Sequence, residues 1–108
     1  MEQNELYPIF LKTEQLEILI VGGGFVALEK LSFLLKSSPN SKVTMVAPFF
    51  REETLLKVKD FNIKLITDNY NSSYLKEKNI VVATTDNVDV NIQVYKDCKQ
   101  RNILVNVA

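Results

Sequence analysis

The chain has 108 residues, with 13 Lys and Arg balancing 13 Asp and Glu, and 46% hydrophobic against 24% charged residues. That length suits one domain rather than two, and the balanced charge argues against a nucleic-acid or membrane-surface partner. The sequence has no histidine and one cysteine, Cys98, which excludes imidazole acid–base chemistry, a His-ligated metal and an internal disulfide.

The start, Met1-Glu2-Gln3-Asn4-Glu5, is acidic and polar and lacks the basic, apolar pattern of a secretion signal. No apolar run approaches the roughly 20 residues of a membrane helix, so a cytoplasmic protein is expected. Leu6-Tyr7-Pro8-Ile9-Phe10-Leu11 is apolar, but Pro8 argues against a central strand. It is expected to lie across a sheet or along its edge.

From there short apolar runs alternate with helix-like segments. Glu17 to Val21 is a nearly continuous β-branched run, the pattern of a strand buried on both faces. Ala27, Leu31, Leu34 and Leu35 follow at helical spacing, and Ser37-Ser38-Pro39-Asn40 stops that helix. Lys42 to Ala47 reads as a second strand closed by Pro48, and Arg51 to Val58 as a short helix. Ile63 to Thr67 is a third strand, and Ser72 to Glu77 is one or two helical turns. Ile80 to Ala83 is a fourth strand. Val90, Val94 and Cys98 stand one turn apart, predicting a helix over Asp89 to Arg101. Ile103 to Val107 is the fifth strand. Such alternation predicts a Rossmann-type α/β domain, a doubly wound parallel sheet in the order 3-2-1-4-5.

Gly22-Gly23-Gly24-Phe25-Val26-Ala27 reads G-x-G-x-x-A, between a predicted strand and a predicted helix, and holds all three glycines of the chain. Gly22 permits the sharp turn, Gly24 lets a pyrophosphate approach the backbone, and Ala27 lets the helix lie close to the strand. The helix start then offers N–H groups and a positive dipole end to phosphates. The pattern predicts a dinucleotide, NAD foremost, on Gly22, Gly23 and Gly24; the bland alternative is a tight turn without ligand.

Many NAD sites carry an acid at the end of the second strand. Here that place is Val46-Ala47-Pro48-Phe49, so backbone groups of Ala47, Pro48 and Phe49 would serve the ribose. Arg51 leaves NADP open, although a solvated arginine opening a helix is the blander reading. On the opposite lip, Thr84 and Thr85 are expected to face the glycine turn, with a helix cap at Thr85, Asp86 or Asn87 as the alternative. Asp86 reads as a cap or turn residue. Asn106 would hold a loop or touch substrate. Cys98 reads as a buried structural thiol. Phe49 and Phe50 would be core, or pack near the adenine or a partner chain.

Tyr7-Pro8-Ile9-Phe10-Leu11-Lys12, Val21 to Lys30, Val43 to Pro48, Ala83-Thr84-Thr85-Asp86, Asn91 and Asn106-Val107 together resemble the N-terminal domain of the siroheme synthase family, the precorrin-2 dehydrogenases and sirohydrochlorin ferrochelatases. The resemblance implies NAD-dependent oxidation of precorrin-2 to sirohydrochlorin, with iron insertion in some members. It implies cofactor contacts for Phe25, Val26, Pro48 and Phe49, and a homodimer when full length. The family's catalytic aspartate would fall immediately after Ala108, so no catalytic and no metal-binding residue is expected in this chain. It is expected to be the cofactor-binding portion of a longer enzyme. Two rivals remain at this stage: a regulatory NAD-binding module like that of potassium transport systems, and a scaffold that has lost its ligand.

Overall fold

The structure, a computed structural model, describes residues 15–108. The Leu6–Leu11 segment lies outside the described residues.

Five strands form one parallel sheet in the order β3-β2-β1-β4-β5: β1 Glu17–Val21, β2 Lys42–Ala47, β3 Ile63–Thr67, β4 Ile80–Ala83 and β5 Leu104–Val107. Three α-helices join them, α1 Phe25–Ser37, α2 Glu52–Lys57 and α3 Val88–Gln100. The expected doubly wound order is therefore present. β1 is central because its side chains are apolar on both faces. Ile18 and Ile20 pack with Ala27, Leu31 and Leu35 of α1 and with Met45 of β2. Leu19 and Val21 pack on the opposite face with Val46, Val81, Val94 and Cys98. Period-two alternation divides a run of consecutive apolar residues between two cores. Parallel strands need long crossovers, and the helices of those crossovers supply the other half of each core.

The third crossover departs from the helical pattern. Between β3 and β4 stands only a 3-10 turn, Ser72–Leu75, with the Asn71 side chain accepting from the Ser73 N–H at 2.9 Å. Leu75, 1% exposed, fills the space that a longer helix would cover. α2 is likewise shorter than its sequence pattern, passing into a 3-10 turn at Val58–Asp60. The start of β5 is displaced from Ile103 to Leu104 because the helix end claims Ile103. Asn102 turns left-handed (φ 56°), and the Ile103 N–H donates to Cys98 O at 3.0 Å. That is a Schellman closure of α3, with Asn in place of the usual Gly.

Among the described residues α1 covers β1 and β2 and leaves the same face of β4 and β5 open. A shallow groove of about 280 Å³ remains there, lined by Ile18, Ile20, Ile80, Val82, Phe33 and Asn106, among others. Among the described residues no helix is long and apolar enough to cross a membrane.

Candidate functional site: a glycine-floored cleft at the strand ends

β1 and β4 are neighbours, yet their crossovers leave in opposite directions, so a crevice opens beyond their carboxyl ends. The crevice measures about 830 Å³ and is bordered by residues 21–26, 46–49 and 84–87, with Arg51, Asn69, Tyr70 and Val90. It brings together all ten residues that the sequence assigns to the cofactor.

The three glycines do different work. Gly22 has φ +136°, a conformation closed to L side chains, and a Cβ there would stand 2.2 Å from Thr84 Oγ1. The Gly22 N–H donates to Val46 O at 2.9 Å. A Cβ on Gly23 would stand 2.1 Å from the Phe49 carbonyl oxygen and 2.9 Å from the Phe50 ring. Gly23 therefore lets the 47–51 segment pass against the turn, and the Arg51 N–H donates to Gly23 O at 3.0 Å. At Gly24 a Cβ would meet no atom of the described residues within 4 Å beyond its own stretch of chain. That glycine keeps bare backbone on the crevice.

The start of α1 suits an anion. Gly24 is its N-cap, with no side-chain cap and no acid in the first turn. In contrast, α2 has Glu52 and Glu53 in its first turn, and α3 is capped by Asn87, whose side chain accepts from the Val90 N–H. The leading N–H groups of α1 thus face the crevice with no side chain of their own to satisfy them. A bare backbone approach, unanswered donors and a crevice of this volume fit a pyrophosphate. The residues present accommodate a dinucleotide.

Thr84 sits under the turn rather than across from it. It is 6% exposed, and its hydroxyl donates to Val21 O at 2.9 Å, beside a second bond from its own N–H. Its role is to tie the end of β4 to the end of β1. Thr85 is held by Asn91: the Thr85 hydroxyl donates to Asn91 Oδ1 at 2.7 Å, and Asn91 Nδ2 donates back to Thr85 O at 2.9 Å. Sequence reasoning used Asn91 only as a mark of resemblance and missed this positioning role. Asp86 lies in the bend, and Asn87 is the cap.

The two phenylalanines separate. Phe50 is 7% exposed and belongs to the core beneath α1, whereas Phe49 is 74% exposed on the crevice rim. Arg51 opens α2 as its N-cap with a partly exposed side chain, as the blander reading has it, and it also borders the crevice, with its guanidinium 5.8 Å from the centre of the exposed Phe25 ring. Arg51 also donates to Glu53 at 3.1 Å. That hydrogen bond, aided by the guanidinium charge, holds the Glu53 carboxyl below the usual range. Asn106 lines the groove on the α1 side and not this crevice.

Asn69 and Tyr70 were not found from sequence. They reach the crevice because β3 ends level with β2, where the Asp68 N–H donates to Ala47 O at 2.9 Å. Tyr70 donates to Asp97 Oδ2 at 2.8 Å, and Gln93 donates to Asp97 Oδ1 at 2.9 Å. Burial, then the Asp97 carboxylate, pushes the Tyr70 phenol well above its ordinary value. Burial, and again Asp97, raises the Cys98 thiol. Cys98 is fully buried, as its place on the apolar stripe implied. The tyrosine signal is a side chain 27 residues from its partner, invisible to any local pattern.

The geometry has counterparts among known proteins. Residues 9–108 match a family model described as "Putative NAD(P)-binding". The chain is 38% identical over 101 residues to a siroheme synthase of Psychrobacter cryohalolentis, covering 94% of this chain and 19% of that protein. It is 38% identical to a siroheme synthase of Pseudoalteromonas atlantica (95% and 22% covered) and 41% identical to one of a Psychrobacter species (94% and 20% covered). The chain thus spans about a fifth of the length of these curated relatives. Among solved structures, SirC, a precorrin-2 dehydrogenase, superposes with a TM-score of 0.80 at 24% identity, covering 95% of this chain and 49% of that one. At that identity the likeness is one of fold.

Proposed function

The chain belongs to the NAD(P)-binding family whose model matches residues 9–108, and from that premise we propose that it is the cofactor-holding domain of an NAD-dependent precorrin-2 dehydrogenase of siroheme biosynthesis. The observation that carries the reading is Gly24, whose missing side chain leaves bare backbone at the start of an uncapped helix on the crevice. The names of the similar proteins, siroheme synthases and a precorrin-2 dehydrogenase, support the reaction and the substrate.

Bound NAD supplies the hydride acceptor. The chain's own residues bind and orient it. Gly24, Phe25 and Val26 present backbone to the pyrophosphate. Ala47, Pro48 and Phe49 border the adenosine side, where main-chain groups meet the ribose in place of an acid. Thr85, fixed by Asn91, borders the nicotinamide side, and Thr84 holds the floor beneath. In this reading residues 1–108 form one domain. On this reading precorrin-2, a second subunit and any iron are met by residues other than those of the nucleotide crevice. The assignment includes a cytoplasmic location.

Two measurements test this. Calorimetric titration of NAD into the chain gives saturable heat, and its absence rejects the nucleotide site. The whole enzyme, mixed anaerobically with precorrin-2 and NAD, forms NADH, and no NADH rejects the dehydrogenase while leaving nucleotide binding standing.

A further inference from the structure

We propose that Arg51 makes the adenosine end of this crevice an acceptor for a 2′-phosphate, so that the chain binds NADP with an affinity close to that for NAD. The inference rests on the dinucleotide reading above and adds the chemistry of the ribose subsite to it.

Discrimination at this subsite is electrostatic. A carboxylate ending the second strand hydrogen-bonds the ribose hydroxyls of NAD and repels a phosphate, whereas an arginine nearby attracts one. Here β2 ends in Val46-Ala47 and runs on through Pro48-Phe49, with no acid. Asp68, at the end of the adjacent β3, is the acid best placed to substitute. It does not border the crevice, and its two carboxylate oxygens are engaged within its own loop, one by the Asn69 N–H at 2.8 Å and the other by the Tyr74 hydroxyl. The repulsive half of an NAD-selective site is therefore missing on both strand ends.

The attractive half is present. Arg51 borders the crevice, and its backbone is fixed to the glycine turn through the bond from its N–H to Gly23 O. Its guanidinium stands by the Phe25 ring, and its Nε is buried with no hydrogen-bond partner among the described residues. Among the described residues the one carboxylate it meets is Glu53, whose side chain is 59% exposed. A solvent-exposed pair of this kind is weak. A phosphate offers the guanidinium a bidentate, doubly charged partner in its place.

The test compares NAD and NADP on three forms of the chain by calorimetry: the unaltered protein, Arg51→Ala and Glu53→Gln. The unaltered protein binds NADP within about tenfold of NAD, and Arg51→Ala shifts the ratio at least about tenfold against NADP, as loss of charged hydrogen bonds requires. Glu53→Gln, which releases the guanidinium, shifts the ratio toward NADP. NADP bound more than about tenfold more weakly than NAD, or a ratio unmoved by both variants, overturns the proposal and leaves NAD binding intact. Failure of both nucleotides to bind rejects the dinucleotide site itself, and this proposal with it.

Discussion

Adding one methyl group in turn to each of three adjacent glycines separates folding from binding at this site. Gly24→Ala places the methyl where no atom of the described residues beyond its own stretch of chain lies within 4 Å, on a residue whose φ of −93° and ψ of −157° suit any L residue. Restricting the unfolded chain favours the folded state by about 0.4–1 kcal/mol, while alanine is worse than glycine as a helix N-cap by roughly 0.5–1 kcal/mol. These nearly cancel, so the melting temperature stays within a few degrees of the parent. The bound pyrophosphate has no such latitude. Holding it away from the backbone forfeits about two charged hydrogen bonds, roughly 3 kcal/mol or more, which is at least about a hundredfold in affinity. Gly22→Ala does the reverse. It combines φ +136° with a methyl 2.2 Å from Thr84 Oγ1, a backbone cost of about 1–3 kcal/mol and a packing cost of about 1–3 kcal/mol. In a domain of this size that lowers the melting temperature by at least about 8 °C. Gly23→Ala drives a methyl to 2.1 Å from a backbone carbonyl that the Arg51–Gly23 bond holds in place, so it too unfolds early. Thermal melts and NAD titrations on the three variants check this. Undiminished NAD affinity in Gly24→Ala would refute the placement, as would a melting temperature for that variant as low as for Gly22→Ala.

Other perturbations probe the supports of the site. Thr84→Val removes the hydroxyl bond to Val21 O and leaves the backbone bond to the same oxygen; chemical denaturation should show a loss of about 1 kcal/mol. Tyr70 links stability to alkaline pH. Its folded-state value is raised above the ordinary 10 by burial and Asp97, so its contribution is complete below that pH and declines as the pH rises past it, when the unfolded chain loses the proton first. Tyr70→Phe should abolish this decline and cost about 1 kcal/mol at neutral pH, discounted for partial exposure; an unaltered alkaline limb in the variant would count against the Asp97 contact. Cys98 is fully buried and its thiol is raised by burial, so iodoacetamide should label it at neutral pH only as fast as the chain opens. Rapid labelling of the native protein would mean that α3 does not hold this face against the sheet.

The strands and their order were legible because β1 to β4 are apolar runs bounded by turn residues, and such runs depend little on distant context. Four of the five strands keep the bounds that the pattern gives. β5 moved by one residue because Asn102 turns left-handed, a backbone event that hydrophobicity does not encode. The glycine turn was legible for a similar reason, since the fingerprint is local. What it did not encode was the division of labour inside it. Only the packing shows that Gly22 and Gly23 are crowded by Thr84, Phe49 and Phe50 and that Gly24 alone faces outward. Asn69 and Tyr70 were missed because they arrive from β3, two strands from the turn, through pairing of Ala47 with Thr67. Phe49 and Phe50 could not be told apart in sequence because adjacent residues on a loop point in directions that only the tertiary contacts decide.

The crowding of two glycines explains how a turn made of the most flexible residue can still hold a ligand. Glycine loses more conformational freedom on folding than any other residue, so three in a row would be a mobile loop if nothing restrained them. Here Gly22 donates to Val46 O, Gly23 accepts from the Arg51 N–H, and Gly24 O accepts from the Leu28 N–H at 3.1 Å. Each glycine is bonded to a different element: β2, the lead into α2, and α1. Thr84 closes the fourth side from β4. The ordering entropy is thus met during folding rather than at binding, which is the condition under which a backbone site binds tightly. It follows that affinity for the nucleotide should depend on residues that never touch it. Among them Phe50 should weigh most, because its buried ring lies where a Gly23 side chain would stand and presses the 47–51 segment against the turn.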